Sequence, residues 1–310
     1  MPKADVTAFI LHQYDISPFS EKVRVAFGVK NLAWFACEQP NMMPKQELAA
    51  LTGGYRRIPI LQIGADLYFD SLFIIEELER RHPQPSLFAG SGKGVGLGLT
   101  HWSDEPFFRP LVGLLFGGDW DSSPEFQEDR AQLMGRPFNS AAMAAARPQL
   151  EAQWRAQLEL LEAQLADGRA FLMGATPDVV DAAFYCQIAF ARWGKGQTAA
   201  ILHDYPGIER WAARVAAIGH GARTSISPQD TIDVARAASP APIHYEIRPH
   251  ANDPAIGDRV RVKYFDANTP ALEGVLMAAA ARHFSVLRES AEAGPLMLHI
   301  PRNMGALQKA

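Results

Sequence analysis

The sequence predicts an α/β domain that is followed by an all-α domain and by a small β-rich module. In residues 1–88, short apolar runs alternate with amphipathic helical segments, as in a βαβ unit. Residues 100–235 keep the three- and four-residue apolar spacing of helices, and residues 257–310 contain short alternating runs that are typical of strands. A glycine-rich linker at 89–99 and a proline-containing connector at 236–256 are expected between these parts.

Length and composition are those of a multi-domain globular protein. The 310 residues are 48% hydrophobic and 21% charged, which is enough apolar surface for two or three cores. No run of 18 apolar residues occurs and the first residues lack an apolar signal segment, so we expect a cytoplasmic protein with no membrane partner. A formal net charge of -4 and a pI near 6.1 argue against a nucleic-acid partner and favour a small molecule or another protein as ligand.

The first strand and the first helix are predicted at residues 6–13 and 18–29. Ser17 is a helix N-cap, and Pro18 stands at the first helical position. Apolar residues then recur at helical spacing, with charged residues on the other side, so one face of the helix should pack on a sheet. The apolar positions are Phe19, Val23, Ala26 and Phe27, and the charged ones are Glu21, Lys22 and Arg24.

A strand, a short helix, a hairpin and a second amphipathic helix complete the first domain. The strand is predicted at 32–37, the short helix near 46–51, the hairpin at 58–63 with 67–69, and the second helix from 70 onwards. Asp70 and Ser71 stand at the start of the last helix, where unpaired backbone N–H groups and a partial positive charge favour a carboxylate. This position is therefore a candidate anion-binding site as well as a helix cap.

Glycine occupies every second position from Gly90 to Gly98. Such spacing can cradle a phosphate, but Lys93 is followed by glycine instead of Ser or Thr, and no strand leads into the segment. The segment is therefore predicted to be an interdomain linker and not a phosphate loop.

Neither the cysteines nor the histidines predict a metal site. Cys37 and Cys186 match neither a CxxC redox pair nor a zinc-ligand spacing, so we expect reduced thiols in the core. The nine histidines show no HxH or HExxH pattern, and no metal cofactor is expected.

Three short motifs occur in a fixed order along the first domain, and the ordered set is more specific than any one of them. They are Ser-Pro-Phe-Ser-Glu-Lys-Val-Arg at 17–24, Arg-Arg-Ile-Pro-Ile-Leu at 56–61 and Asp-Ser at 70–71. Together with the linker and the helical region, this set resembles the glutathione S-transferase superfamily over residues 1 to about 230. The resemblance implies a thioredoxin-like βαβαββα domain, a helical-bundle domain and a homodimer.

The second domain carries a further similarity to this family. Phe-Leu-Met-Gly at 171–174, followed by Asp178 and Asp181, is similar to the folding motif of the family's helical domain. Relatives usually have Ser or Thr where this chain has Asp178. Because aspartate also caps helices, both aspartates are interpreted as structural.

The resemblance assigns the binding of glutathione, as co-substrate, to the first domain. Ile58 and Pro59 are implied to grip the cysteinyl part, and a cis Ile58-Pro59 peptide would turn the Ile58 backbone toward an extended ligand. Asp70 and Ser71 are implied to hold the γ-glutamyl end, and Arg57 is placed near the glycyl end. A trans proline and a purely local helix cap are the alternatives at these positions.

In Ser-type relatives the residue at the start of the first helix points at the glutathione sulfur, and Ser17 occupies that position. A hydroxyl hydrogen bond and the helix N-terminus both lower the thiol pKa, and each unit is worth about 1.4 kcal/mol. Ser20 and Tyr14 are the alternative hydroxyl donors, and Ser17 alternatively serves only as a cap. Neither serine is a cysteine, which disfavours mixed-disulfide chemistry.

Trp102, Phe107 and Phe108 are expected on the first helix of the second domain, facing the cleft above the thiol. They are candidates for an apolar acceptor pocket that would bind a small hydrophobic electrophile, with core packing as the alternative for each. The resemblance therefore predicts a glutathione transferase in which the bound thiolate attacks an apolar electrophile. The alternatives are a transferase-fold binding or scaffold protein with little or no catalysis, and a glutathione-dependent isomerase or lyase.

Residues 257–310 depart from the family, whose members usually end soon after the helical domain. Their pattern resembles a small SH3- or KOW-type barrel, with Arg259, Arg261 and Lys263 on one face. Residues 241–310 contain eight Lys or Arg against seven Asp or Glu, so no basic surface and no nucleic-acid binding are predicted. We expect the module to cover part of the helical domain or to serve oligomerisation.

Overall fold

The computed structural model describes residues 4–120, 122–194, 196–265 and 268–310. Its first part has the order strand, helix, strand, helix, strand, strand, helix, which confirms the predicted thioredoxin-like βαβαββα domain. The elements are β1 (Ile10–Gln13), α1 (Pro18–Val29), β2 (Ala33–Glu38), α2 (Gln46–Thr52), β3 (Ile60–Ile63), β4 (Asp66–Phe69) and α3 (Ser71–Arg81).

The strand register of this domain brings three chain segments to one edge of the sheet. β1 is parallel to β2 and antiparallel to β3, and β3 is antiparallel to β4. His12 is paired with Ile60, and Ile60 is paired with Phe69. The residues that follow β1 and β4 therefore lie at the same edge as the residues that precede β3.

The helix α1 is buried on both sides. It lies between the sheet and the second domain, so its charged side does not face solvent. Glu21, Lys22 and Arg24 are all buried, which differs from the amphipathic pattern of the sequence, where charge usually marks an exposed face. Buried charges require partners, and those partners are described below.

The second domain is built of helices, as the sequence predicts. They are α4 (Lys93–Trp102), α5 (Phe108–Leu114), α6 (Pro124–Met134), α7 (Ser140–Ala145), α8 (Arg147–Gln164), α9 (Val179–Trp193), α10 (Gln197–Ile201) and α11 (Pro206–Ile218). Two π-helical turns, Ser103–Phe107 and Leu115–Asp119, follow α4 and α5 directly.

The glycine-rich segment 89–99 differs from the predicted linker because its second half is helical. α4 already begins at Lys93. At Gly96 a Cβ atom would lie 2.5 Å from Ser91 Oγ and 3.0 Å from Val179 Cγ1, so the helix approaches its neighbours closely at a glycine. The segment is therefore packed into the second domain.

The region that the sequence predicts to be helical up to residue 235 also contains a strand. β5 (Ala222–Ile226) pairs in parallel with β2, and α12 (Pro228–Arg236) follows it. Beside this strand the Trp34 indole N–H donates to the His220 carbonyl at 2.7 Å. The side chains of β5 are exposed or half-buried, so the strand lacks the apolar alternation from which strands are predicted.

The C-terminal residues form five strands that extend the sheet of the first domain. They are β6 (Arg259–Tyr264), β7 (Leu272–Ala279), β8 (His283–Ser290), β9 (Gly294–Pro301) and β10 (Gly305–Lys309). Their order is β10-β6-β7-β8-β9, and β9 pairs in parallel with β4. The described strands thus form one ten-stranded sheet instead of the separate small barrel that the sequence suggests.

Two apolar cores lie on opposite faces of this sheet. Tyr68 of β4 belongs to the first core, with α1, α3 and the helical domain, whereas Leu67 and Phe69 belong to the second. The second core joins α2, α12 and the strands of the C-terminal module. No helix in the described part of the chain is long and apolar enough to cross a membrane.

Candidate functional site

The sheet edge at which β1 ends and β3 begins brings the candidate residues together. Ser17 stands at the N-terminus of α1, Ile58 precedes β3, and Ser71 begins α3. Lys45 precedes α2, which follows β2, and β2 ends at this same edge because it is parallel to β1. We call the region bounded by Ser17, Lys45, Ile58 and Ser71 the candidate site.

Ser17 is the N-cap of α1. Its Oγ accepts a hydrogen bond from Ser20 N at 3.2 Å, and only 3% of the residue is exposed. This bond uses a lone pair of the oxygen, so the hydroxyl proton can still be donated to a ligand sulfur. Pro18 stands at the first helical position, and the N-terminus of α1 adds partial positive charge beside Ser17.

The two alternative hydroxyl donors have different surroundings. Ser20 is fully buried, and its Oγ has no hydrogen-bond partner among the described residues. Tyr14 is half-buried, and its ring centroid lies 5.4 Å from Lys45 Nζ. Tyr14 therefore borders the candidate site, whereas Ser20 lies within the packed helix.

The turn before Ser17 is held by the buried Arg24. The guanidinium donates to the Asp15 carbonyl at 2.7 Å and to the Tyr14 carbonyl at 3.4 Å, and its Nε donates to Glu21 at 2.8 Å. Burial opposes ionisation of Glu21, but the hydrogen bond from His220 and the charge of Arg24 lower its pKa overall. Arg24 thus connects α1 to the turn that positions Ser17.

The Ile58–Pro59 peptide is cis, as the resemblance implies. Within the described residues, no hydrogen bond is made by the backbone N–H or C=O of Ile58. Arg57, the residue predicted near the glycyl end, is exposed and donates to the Leu133 carbonyl at 3.3 Å. Ile58 therefore offers backbone groups to a ligand, while Arg57 is turned toward α6.

Asp70 and Ser71 form the start of α3. Asp70 has a φ of +71°, and its carboxylate accepts from Leu72 N at 2.8 Å and from Phe73 N at 3.4 Å, so it caps the helix. Ser71 Oγ lies 3.2 Å from Lys22 Nζ, which is also paired with Asp104 at 2.5 Å. Asp70 is thus a local cap of α3, and Ser71 in addition contacts the charged Lys22.

The Lys22–Asp104 pair was not identified from the sequence. Lys22 falls on the charged side of α1, and Asp104 belongs to the π-helical turn after α4, in the other domain. Burial raises the pKa of Asp104, and the neighbouring charge of Asp70 acts in the same direction, while Lys22 opposes both. No local pattern marks two residues that are 82 positions apart in the chain.

Basic residues also gather at the other side of the candidate site. Arg56 pairs with Asp129 at 2.5 Å, and Arg130 of α6 donates to the Asn41 carbonyl. Burial, together with the charges of Arg130 and Arg56, lowers the pKa of Lys45 to about 8. The charge of Asp129 acts in the opposite direction. Arg56 and Arg130 both pair with Asp129, and no ion pair of Lys45 is seen among the described residues. This cluster of cations favours an additional anion.

Two of the three predicted acceptor residues pack on Phe184 in the helical domain. The Trp102 ring is 4.8 Å from Phe184, and its indole N–H donates to Gln157 at 2.7 Å. Phe107 is fully buried at 5.3 Å from the same phenylalanine. Phe107 thus has the core position that the sequence leaves open as the alternative, whereas Trp102 is half-buried and packs against the core.

Phe108, the third predicted acceptor residue, lies beside α1. Its ring centroid is 5.1 Å from Phe19 and 6.0 Å from Phe190. Further aromatic rings continue from Phe190 to the π-helical turn after α5 and on to α6 and the residues that follow it. We call this set, with Phe19 and Phe108, the aromatic wall. Its other members are Phe116, Trp120, Phe126, Phe138 and Phe190.

Asp178 and Asp181 have the structural roles that the sequence predicts. They form a capping box at the start of α9. Asp178 also accepts from the backbone N–H groups of Gly90 and Ser91 at 3.1 and 3.0 Å. Asp181 accepts from the Trp211 indole at 2.7 Å, and burial raises its pKa to about 6.

The two cysteines lie apart in the core. Cys37 and Cys186 are buried and unpaired with each other, and burial raises the pKa of both thiols. Across the described ranges, no group of three or more His, Cys, Asp or Glu side chains is arranged to hold a metal ion.

A thioredoxin-like domain with a cis proline before β3, joined to an all-α domain, is the architecture of the glutathione S-transferase fold. The family model for the glutathione S-transferase N-terminal domain matches residues 11–86, and that for the C-terminal domain matches residues 144–214. A GST-like protein from Pseudomonas syringae is 32% identical, with 98% of this chain and 100% of that chain covered and a TM-score of 0.82. The chain therefore belongs to the glutathione S-transferase superfamily.

More distant structures share the fold of the first two domains. A Tau class glutathione S-transferase from mango, Mangifera indica, is 17% identical, covers 68% of this chain and 89% of its own, and has a TM-score of 0.53. A glutathione transferase family member from Pseudomonas fluorescens Pf-5, solved with two glutathione molecules bound, is 16% identical, with coverages of 70% and 94% and a TM-score of 0.52. Among functionally curated proteins no match is found.

Proposed function

We propose that the protein is a glutathione transferase that binds reduced glutathione at the candidate site and uses its thiolate against an apolar electrophile. The observation that carries this proposal is the convergence of Ser17, Ile58 and Ser71 at one sheet edge. A peptide-like ligand that is charged at both ends and carries a thiol in the middle fits this order of groups.

The two ends of glutathione are assigned by charge. Ser71 and Lys22 would bind the γ-glutamyl carboxylate at the N-terminus of α3, and Asp104 would bind the γ-glutamyl ammonium. The glycyl carboxylate would lie against Lys45, with Arg56 and Arg130 nearby. In this assignment Lys45 binds the glycyl end, in place of Arg57, the residue that the resemblance implied.

The middle of the ligand is assigned by hydrogen bonding. The backbone of Ile58 before the cis Pro59 would pair with the cysteinyl residue, as an added strand pairs with a sheet edge. Ser17 would then donate its hydroxyl proton to the sulfur. Of the three hydroxyl candidates, Ser17 combines the helix N-terminus with an available proton.

The reaction needs only a lowered thiol pKa and a positioned electrophile. Glutathione loses its thiol proton to solvent, and the thiolate is stabilised by the Ser17 hydroxyl and the α1 N-terminus. The sulfur then attacks an electrophilic carbon, a carbon–sulfur bond forms, and the leaving group departs with its electron pair. The aromatic wall, which begins at Phe19 of α1 and Phe108, would bind the apolar part of the electrophile.

A second candidate function is a transferase-fold binding protein without catalysis. It is favoured by the near-complete burial of Ser17 and by the contact of Lys22 with Ser71 Oγ, which already gives that hydroxyl a partner. In this case glutathione binds and no electrophile is turned over.

A homodimer in the cytoplasm is the assembly that family membership suggests. The β4 edge is not available for it, because β9 of the same chain pairs with that strand. We therefore propose a dimer through another surface, and light scattering should give twice the chain mass of 34.0 kDa. A mass of one chain would contradict the dimer without affecting the proposed chemistry.

Calorimetric titration with reduced glutathione tests the proposed function directly. We expect saturable binding by the wild type, loss of binding in Ser71→Ala, and retained binding in Ser17→Ala. Turnover of a chlorodinitrobenzene electrophile, lost in Ser17→Ala, then separates the enzyme from the binding protein. No binding by the wild type would contradict both candidate functions.

A further inference from the structure

The C-terminal module contacts the chain segments that lead into Ile58 and Ser71 of the candidate site. β9 pairs with β4 in the register Asp66 with Met297 and Tyr68 with His299. Inside this junction, His299 Nε2 lies 2.8 Å from Asp66 Oδ1, and its ring stacks on Tyr68 at 4.4 Å. Strand β4, which leads directly into the N-terminus of α3, is thus fixed by the module.

The module also holds the segment that leads to Ile58. Tyr55 lies 5.1 Å from Phe69 and 5.0 Å from Tyr264 between ring centroids, so it connects the first domain to β6. Leu272 and Tyr264 belong to the same apolar core as Tyr55. The chain between α2 and Ile58 therefore packs directly on the module.

Arg288 of β8 is the polar part of this contact. Its Nη1 donates to the Ala50 carbonyl in the last turn of α2 at 2.6 Å, where carbonyls without helical partners favour a cation. Gly53 follows with a φ of +73°, and a Cβ there would lie 2.9 Å from Leu272 Cδ1 and 3.0 Å from Arg288 Nε. The guanidinium thus lies against the end of α2 and the turn after it.

The segment that carries Ser17 packs elsewhere. α1 contacts α9, α3 and α11 of the first two domains. The two parts of the proposed chemistry therefore depend on different parts of the fold. Glutathione is bound by segments that pack on the module, whereas the thiolate is stabilised by α1.

We propose that the C-terminal module positions the glutathione-binding segments and that Arg288 is a positioning residue for α2 and Ile58. This inference rests on the proposed function. It assigns the module a role in glutathione affinity and none in the acidity of the bound thiol.

The test compares Arg288→Ala and Arg288→Lys with Arg261→Ala as the matched control. Arg261 belongs to the same module but is exposed and pairs only with Glu273, at 2.6 Å, among the described residues. Affinity is measured by titration with S-methylglutathione, and the pKa of the bound glutathione thiol by thiolate absorbance against pH. We expect Arg288→Ala to weaken affinity about fivefold, since one charge-assisted hydrogen bond is lost, with an unchanged thiol pKa.

Arg288→Lys should recover most of the affinity, and Arg261→Ala should bind as the wild type does. Wild-type affinity in Arg288→Ala would overturn the inference, and so would a rise in the thiol pKa equal to that in Ser17→Ala. Arg288→Gln replaces the alanine variant if thermal unfolding shows that the latter does not fold.

Amide hydrogen exchange at residues 53–58, measured without ligand, separates this inference from the proposed function. Faster exchange in Arg288→Ala than in Arg261→Ala supports the positioning role even if the wild type binds no S-methylglutathione. Equal exchange in the two variants overturns it. Absence of binding by the wild type contradicts the proposed function alone.

Discussion

The Lys22 ammonium lies 3.2 Å from Ser71 Oγ while it is paired with Asp104 at 2.5 Å. The lysine is fully buried, so this contact joins α1, α3 and the helical domain in an environment with little solvent screening. A carboxylate bound at the N-terminus of α3 would enter a site that already contains a cation.

Lys22→Met should weaken glutathione binding at least tenfold and lower the free energy of unfolding by about 3 kcal/mol, because Asp104 loses its buried partner. The double variant Lys22→Met with Asp104→Asn should recover stability but not affinity, since no cation faces Ser71. Titration calorimetry and denaturant unfolding measure the two effects. Wild-type affinity in the double variant would show that Lys22 is only structural.

Ser17→Ala should raise the pKa of the bound glutathione thiol by about one to two units, because the thiolate loses a hydrogen-bond donor. Thiolate absorbance against pH measures this value. Ser20→Ala is the matched control, since Ser20 is fully buried within the packed helix and should not reach the thiol. A shift in Tyr14→Phe with none in Ser17→Ala would transfer the role to Tyr14.

Affinity for S-methylglutathione should fall as pH rises through about 8. Lys45 has a pKa lowered to about 8 in the unliganded protein, and only its protonated form attracts the glycyl carboxylate. Above this pH the affinity should fall by up to about tenfold per pH unit, until the pH reaches the pKa that Lys45 has in the liganded protein.

Lys45→Arg is the control for this pH dependence, because arginine stays charged throughout the range. Its affinity should be constant where that of the wild type falls. The thiol is methylated and ionisation of the ligand ammonium affects both proteins equally, so the difference between the two profiles reports Lys45. Identical profiles would exclude Lys45 from the site.

Asp178→Ala should lower the free energy of unfolding by about 2 kcal/mol, because the α9 cap and the bonds to Gly90 and Ser91 are lost together. Asp178→Ser should retain the cap and lose less. Glutathione affinity should be unchanged in both. A loss of binding without a loss of stability would contradict the structural role of Asp178.

Local sequence predicted those features that depend on neighbouring residues. Ser17-Pro18 specifies the start of α1 by an N-cap and a proline at the first position, and both are found there. The apolar runs specify β3 and β4, and alternate residues of β4 point into different cores. Asp178 and Asp181 form their capping box three residues apart.

Contacts between distant segments could not be predicted in this way. Lys22 and Arg24 have the spacing of an exposed face, yet both are buried because the helical domain packs over α1. β5 has no apolar alternation and is a strand only because β2 offers it a free edge. Phe107 has the residue type of a ligand pocket but is fully buried in the core of the second domain.

The sequence by itself therefore determined the order of elements in the first domain, the start of α1, the cap of α9 and the superfamily, because these depend on residue types within one or two turns or strands. Tertiary structure alone decided that the C-terminal strands continue the sheet of the first domain and that Lys22 meets Ser71 and Asp104. The physical reason is that pairing energy at a strand edge and the burial of a charge depend on which segments meet in space, and that information is absent from any local stretch of the chain.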